Sequence, residues 1–434
     1  MSKRIRALVI LVVSSSLLAS PIFARRQPAP QRKGTVVAAA NAKEAAIVAT
    51  TAEILKETSQ IRELPILHPV KSGAQSREEI ERMVIKNLDE QNSPSESHAS
   101  EQTLKKLGLA PKDFQYRPFL IKLLTEQVAG YFDPKQQEFF LADWIDLEGQ
   151  KPVMAHELTH ALQDQHFNLR RFENWPKGDS DAELAAHSLI EGDATLAMKV
   201  YMAKNPMVAF AFLKSFASSA TPSEQFKQAP RALRESLVFP YQEGLDWATA
   251  VYKKGGWSAV SAAFSDLPKS TEQILHPEKY FAKEAPVKIT LPDVHTQLGA
   301  TWKRIDYDVN GEWTYYLILD QFINAESESR RAAAGWAGDR YAVYESVSGD
   351  VFMSQVSEWD TENDAKEFFD AYTKRTQLRY ADAKPDGDAT AANRRQWRTS
   401  EGSVVLAMNG KRVVVLEGIP RGVDANGLLR SIGD

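Results

Sequence analysis

The 434-residue sequence contains no cysteine. A disulfide framework and a lipid-attached cysteine are therefore excluded, and the fold must depend on its hydrophobic core. The formal net charge is only −4, and nothing in the composition indicates a nucleic acid partner. Beyond the N-terminal segment no apolar run is long and uninterrupted enough to span a bilayer, which predicts no stable membrane insertion of the mature chain.

The first 24 residues have the pattern of an export signal. Three basic residues within the first six precede a short apolar run that ends at Ala19, and Ala24 is a small residue of the kind found at cleavage sites. We expect residues 1–24 to be a signal peptide and the mature chain to be exported, to the periplasm or the medium. An uncleaved anchor is the alternative. Residues 25–43 are rich in proline, alanine and basic side chains, which predicts a flexible linker.

The stretch PVMAHELTHALQ contains two histidines four positions apart. On a helix, His156 and His160 project from one face and can bind one cation. Glu157 completes the H-E-x-x-H spacing, in which the glutamate takes a proton from activated water and passes it to the leaving amine. The pattern predicts a zinc hydrolase site; the alternative is a helix whose histidines are structural.

A catalytic zinc site has three protein ligands, so a further donor is expected downstream. Residues 179–193 are rich in acidic side chains, and Glu183, His187 and Glu191 recur at intervals of four, which places them on one helix face. We predict Glu191 as the third ligand, with Glu183 as the next candidate and His187 as a further alternative. A solvated acidic face is the non-functional interpretation.

The reaction also needs a donor that stabilises the oxyanion formed when water adds to a carbonyl. We predict His276 for this catalytic role, with Tyr280 and Tyr241 as alternatives. A histidine before a proline is otherwise a capping or packing residue. Asp164 and Asp193 are candidates for orienting the imidazoles, the alternative being solvated carboxylates.

Two of these stretches resemble a known family. HELTHALQDQHF followed by LIEGDA is similar to exported bacterial proteins grouped with gluzincin-type zinc metallopeptidases, and the similarity covers most of the chain after its first fifty residues. The resemblance implies that His156, His160 and Glu191 hold Zn2+. It also implies Glu157 as general base, a zincin-like peptidase domain and a peptide or protein substrate. The residues that follow Glu191 depart from those of thermolysin-like enzymes.

The remaining pattern predicts an α+β fold in two parts. Residues 44–285 form a mainly helical domain with a small β-hairpin, and residues 286–434 a smaller α+β domain with an antiparallel sheet. In the hairpin, Glu138 to Ala142 is a candidate edge on which a peptide substrate adds as a strand, and a purely structural hairpin is the alternative. The stretch NSPSESHAS is predicted to be a surface loop, and Phe210 to Phe216 to be core.

We therefore expect an exported zinc-dependent metallopeptidase. Two alternatives share its residues. One is an exported envelope or binding protein that keeps a peptidase scaffold without hydrolysis, and the other is a zinc hydrolase of a non-peptide substrate. Glu157 favours catalysis over the first alternative, because a non-catalytic zinc site does not need that base.

Overall fold

The computed structural model describes residues 33–144, 147–173, 175–218, 224–386 and 392–433. Within these ranges the chain folds into helices and two β-sheets, which confirms the predicted α+β class. The predicted signal peptide, residues 1–24, lies outside the described residues. No described helix is both long enough and apolar enough to cross a membrane.

The part of the chain before Pro286 is mainly helical. Its helices are α1 Lys33–Arg62, α2 Arg77–Gln91, α3 Pro94–Leu107, α4 Tyr116–Gln127, α5 Leu147–Phe167, α6 Arg170–Glu173, α7 Ser180–Lys204, α8 Pro206–Ser218, α9 Glu224–Gln228, α10 Arg231–Ala263, α11 Thr271–Leu275 and α12 Pro277–Phe281. Its strands are β1 Lys71–Gln75, β2 Gly130–Asp133 and β3 Glu138–Ala142.

These three strands form a sheet of order β1-β3-β2. The predicted hairpin is confirmed, because β2 pairs antiparallel with β3. β1 pairs with the other side of β3 in parallel, so β3 is the central strand and has no free edge. The prediction that Glu138–Ala142 receives a peptide strand is therefore wrong. Among the described strands, β1 and β2 form the two outer edges of this sheet.

The part of the chain after Pro286 contains a seven-stranded sheet among its described residues. Its strands are β4 Trp302–Asp308, β5 Trp336–Ser346, β6 Val351–Trp359, β7 Lys384–Pro385, β8 Arg394–Thr399, β9 Gly402–Asn409 and β10 Arg412–Ile419. Its helices are α13 His295–Leu298, α14 Gly311–Ile323, α15 Glu326–Ala333, α16 Glu362–Arg379 and α17 Ala425–Gly433.

This larger sheet has the order β4-β5-β6-β10-β9-β8-β7, and every neighbouring pair is antiparallel, as predicted. Side chains alternate between its faces. One face packs against α14 and α16, and the other against residues 289–298 and α17. The first of these cores also contains residues of α1, α5 and α7, so a single core crosses the predicted boundary at Pro286.

Three local expectations are changed by the structure. Helix α1 begins at Lys33, inside the range predicted as linker, in an alanine-rich stretch with high helix propensity. The predicted loop NSPSESHAS forms the first turns of α3, because Ser93 and Glu96 make a capping box around Pro94 at the first helical position. The core prediction is wrong for Phe210, whose side chain is 64% exposed on α8.

Candidate metal centre

Helices α5 and α7 cross in the core and carry the predicted ligands. Residues 152–164 of α5 are buried throughout, because α1, α7 and α8 all pack against this helix. His156 is 2% exposed, His160 4% and Glu191 0%. Buried groups of this polarity require partners, and here they face one another.

The three side chains place their donor atoms at the corners of a small triangle. His156 Nε2 lies 3.0 Å from Glu191 Oε2 and 3.1 Å from His160 Nε2, and His160 Nε2 lies 3.4 Å from the same Oε2. Two ligand atoms that each lie about 2.05 Å from zinc at a tetrahedral angle are about 3.3 Å apart. All three separations are within about 0.3 Å of that value. The residues therefore fit a single tetrahedral cation.

The second oxygen of Glu191 supports the same fit. Glu191 Oε1 is buried and makes no hydrogen bond. An uncompensated carboxylate oxygen in a dry interior is costly unless a positive charge lies close to it. With three protein donors on one side, a tetrahedral cation keeps one position open, as a catalytic site requires.

The charges of the metal-free cluster are strongly coupled. Burial alone would raise the pKa of Glu191, but His160 and His156 outweigh burial and lower it to about 2. Burial would lower the pKa of His160, yet the charge of Glu191 raises it to about 9. Burial lowers the pKa of His156. A proton on His160 thus competes with a metal ion for one lone pair.

Glu157 lies outside the ligand triangle and is held by the edge strand β2. Its Oε2 accepts a hydrogen bond from the main-chain N–H of Phe132 at 3.1 Å, whereas its Oε1 is buried without a hydrogen bond. Burial raises the pKa of Glu157 well above its usual value. A fixed carboxylate with one uncommitted oxygen and a raised pKa is suited to accept and release a proton.

A close crossing of α7 and α10 brings Tyr241 against the cluster. A Cβ on Gly192 would overlap the carbonyl oxygen of Gly244, and a Cβ on Gly244 would overlap that of Ser188. Glycine at both positions therefore permits backbone contact between the helices. Tyr241, one turn before Gly244, stacks on His156 with ring centroids 6.0 Å apart.

The residue predicted for oxyanion stabilisation has other partners. His276 Nε2 lies 3.0 Å from Glu312 Oε1, and this hydrogen bond raises the pKa of His276. Tyr280, the first alternative, donates its hydroxyl to Asp266 O at 2.9 Å. Of the three candidates, Tyr241 is the one whose contacts include a predicted metal ligand.

The acidic stretch before Glu191 separates into distinct roles. Asp179 caps α7 by accepting a hydrogen bond from the N–H of Ala182. Asp181 accepts hydrogen bonds from the N–H of Thr271, at 3.1 Å, and from its hydroxyl, at 2.5 Å. Both aspartates line a cavity of about 530 Å³ at the start of α7, and none of the three triangle residues lines it. Glu183 and His187, the alternative ligands, are buried on α7 outside the triangle.

The two aspartates considered for orienting imidazoles also differ. Asp164 accepts a hydrogen bond from Leu169 N at the end of α5, which gives it a structural role. Asp193 reaches His160 indirectly, because Gln163 lies between them. Sequence reasoning missed Gln163. Its position three residues after His160, on the same helix face, was the available signal.

A second group of carboxylates, Glu272, Glu284 and Asp360, is also close enough to hold a cation. Lys279 already supplies one. Its Nζ lies 2.7 Å from Glu272, 2.7 Å from Glu284 and 2.5 Å from Asp360. Among the described residues, the triangle is thus the group of ligand-type side chains that no lysine holds.

Comparison with known proteins gives one match. A family profile described as "Domain of unknown function (DUF8575)" matches residues 297–428, which lie in the C-terminal α+β part and include none of the triangle residues. No curated protein and no solved structure matches the chain. The C-terminal part of the chain is therefore similar to the DUF8575 family, and the metal centre lies outside the matched range.

Proposed function

We propose that the protein is an exported zinc-dependent metallopeptidase with a zincin-like catalytic domain, in which His156, His160 and Glu191 are the ligands. The observation that carries this proposal is the triangle of donor atoms, whose sides measure 3.0, 3.1 and 3.4 Å. Two imidazoles and one carboxylate are a donor set that suits zinc. Export rests on the basic and apolar pattern of residues 1–24.

The chain's own groups have separate tasks in this reaction. Zn2+, when bound, lowers the pKa of water towards neutrality and polarises a carbonyl. Glu157 accepts the proton through Oε1 and delivers it to the leaving amine, while Phe132 N–H holds its Oε2. Tyr241 replaces His276 as our candidate donor to the oxyanion, because its ring stacks on a ligand.

An extended peptide is the substrate class we propose, because the edge of β2 that pairs with no described strand lies beside Glu157. Ala129 O accepts from Ala142 N on the β3 side, and Phe132 N points the other way, to Glu157. Alternation along a strand then directs the main-chain groups of Gly130 to the outer edge as well. A peptide that pairs with this edge by main-chain hydrogen bonds brings its carbonyls next to Glu157.

Metal content tests the ligand assignment. Mass spectrometry of the purified protein should find about one zinc per chain, and little in the His160→Ala and Glu191→Ala variants. Glu284→Ala is the matched control, because its carboxylate binds Lys279 in the other acidic group, and it should keep its zinc. Zinc retained by both ligand variants would overturn the assignment.

Turnover tests the role of Glu157. Glu157→Gln keeps the size of the side chain and its contact with Phe132, but it removes the proton acceptor. Cleavage of a peptide library, monitored by mass spectrometry, should become about 10²–10⁴-fold slower, while zinc stays bound. Full activity of this variant would exclude Glu157 as the base.

A further inference from the structure

The buried amide of Gln163 connects the two helices that carry the ligands. Its Nε2 lies 3.0 Å from Ile190 O and 2.8 Å from Asp193 Oδ2, both on α7, and its Oε1 lies 2.8 Å from His160 Nδ1 on α5. Gln163 is 0% exposed, so water does not replace any of these contacts. Its acceptors on α7 flank Glu191 in the sequence.

These contacts fix which end of the amide faces His160. A main-chain carbonyl and a carboxylate only accept hydrogen bonds, so the NH2 group of Gln163 must face Ile190 O and Asp193. The opposite orientation would place the amide oxygen against two oxygens. Gln163 Oε1 therefore faces His160, and His160 must donate through Nδ1–H. Nε2 is then the nitrogen on the side of Glu191 and His156 that is left to bind a metal ion.

Arg62 holds the far end of this chain of contacts. It is the last residue of α1 and is 0% exposed, and its Nε lies 2.5 Å from Asp193 Oδ1. Its Nη1 donates to Ser261 Oγ at 3.1 Å and lies 3.5 Å from Trp257 O. Arg62 contacts Oδ1 of Asp193, and Oδ2 of the same carboxylate accepts from the NH2 group of Gln163. A residue about one hundred positions before the ligands is thus connected to His160.

We propose that Gln163, supported by Asp193 and Arg62, is the positioning residue that commits His160 to bind the metal through Nε2 and keeps α5 and α7 at the separation the ligands need. This inference rests on the proposed metal centre. Loss of an outer partner of a ligating histidine typically weakens metal binding about 10–100-fold. Gln163 does not touch the metal or the substrate.

Gln163→Met tests the proposal, because methionine is similar in length and removes both hydrogen-bonding functions. Its zinc dissociation constant, measured by competition with a chelator, should rise about 10–100-fold. Gln165→Met is the control on the same helix, since that amide contacts the loop at Leu67 and His68 instead of a ligand. Its zinc affinity should match the wild type. Equal weakening by both variants would assign the effect to the helix as a whole and overturn the proposal.

A second measurement uses the wild-type protein and needs no variant. Long-range proton–nitrogen NMR spectra of the zinc-loaded protein should show His160 protonated at Nδ1 and metal-bound through Nε2. The reverse pattern would overturn the proposal. Absence of zinc binding by the wild type would instead remove the proposed function itself. Wild-type binding with unchanged affinity in Gln163→Met would remove only the positioning role.

Discussion

His160 contacts two groups of opposite character through its two ring nitrogens. Gln163 accepts a hydrogen bond at Nδ1, and Glu191 Oε2 lies 3.4 Å from Nε2. The neutral imidazole can already make the hydrogen bond to Gln163. The carboxylate of Glu191 favours a second proton, on Nε2, and this outweighs burial and raises the pKa of His160 to about 9. Binding a metal ion therefore means removing that proton.

We predict that zinc binding releases about one proton per site at pH 7. His160 is protonated below its pKa of about 9, whereas Glu191, with a pKa of about 2, is already ionised. The apparent affinity should rise about tenfold per pH unit up to pH 9 and then level off. Calorimetry in two buffers of different ionisation enthalpy measures the release.

The titration should be made on the Glu157→Gln protein beside the wild type, because burial raises the pKa of Glu157 and the charge of Glu157 in turn raises the pKa of His160. Zinc binding at pH 7 without proton release would contradict the assigned state of His160. Proton release that stays unchanged above pH 9 would also contradict the assigned state of His160.

For single residues, the sequence predicts proximity only where the residues share one helix and their spacing places the side chains together. His156, Glu157 and His160 share one helix, so their relation follows from helix geometry. Glu191 could be proposed because it belongs to a polar stripe of period four. Arg62 could not, since its approach to Asp193 depends on how α1 packs against α7, and no local pattern encodes that packing.

At the scale of the elements, helices α7 and α10 are in direct backbone contact at two glycines. Gly192 and Gly244 face each other at a point where any Cβ would meet main-chain atoms. Glu191 precedes the first glycine and Tyr241 lies one turn before the second. The crossing therefore sets the positions of the proposed ligand Glu191 and of the proposed oxyanion donor Tyr241 together.

We predict that Gly244→Ala lowers the free energy of unfolding by about 1–3 kcal/mol, because the helices must separate to admit the methyl group. Zinc affinity should fall as well, since Glu191 moves with α7. Denaturant unfolding and chelator competition measure the two effects.

Gly73→Ala is the matched control for that substitution. A Cβ at Gly73 meets its neighbours at 3.8 Å, which is ordinary van der Waals contact, so stability should stay unchanged or rise slightly. Equal destabilisation by both alanines would show that the loss does not come from the close contact of α7 and α10.

Strand β1 shows why the small sheet was predicted only in part. The sequence KSGAQ lacks the β-branched and aromatic residues typical of strands, and its partner β3 lies more than sixty residues away. The β2–β3 hairpin is local and aromatic, and it was recognised. Pairing between distant segments depends on tertiary packing, so the free edge was assigned to the wrong strand.

At the scale of the whole molecule, a buried ionic cluster joins the C-terminal sheet to α3. Glu417 on β10 accepts hydrogen bonds from Arg375 at 2.7 Å and from Arg379 at 2.7 Å. Arg375 also donates to Leu107 O, and Arg379 lies 3.4 Å from Lys105 O, at the C-terminal end of α3. The two arginines therefore place positive charge where the helix dipole is negative.

We predict that Glu417→Gln lowers the free energy of unfolding by about 3–5 kcal/mol, because two buried arginines lose their counter-ion. Burial would raise the pKa of Glu417, but the arginines lower it to about 2. Its contribution to stability is therefore present above pH 4.5 and lost as the pH falls towards 2. The free energies of unfolding of the wild type and of Glu417→Gln should therefore differ less at pH 3 than at pH 7, which denaturant unfolding curves at the two pH values measure.

Glu358→Gln is the control on the neighbouring strand. Its carboxylate pairs with Arg412 at 2.8 Å, where both side chains are partly exposed, so the loss should be about 0–1 kcal/mol. Comparable losses in both variants would show that burial of the Glu417 cluster adds nothing to its strength.

The ionic cluster also determines when α3 acquires its native contacts during synthesis. Helix α3 is translated some three hundred residues before Glu417, whose arginine partners hold its end. Contacts this distant in sequence form late and slowly. The C-terminal end of α3 thus acquires its native contacts only after β10 has left the ribosome.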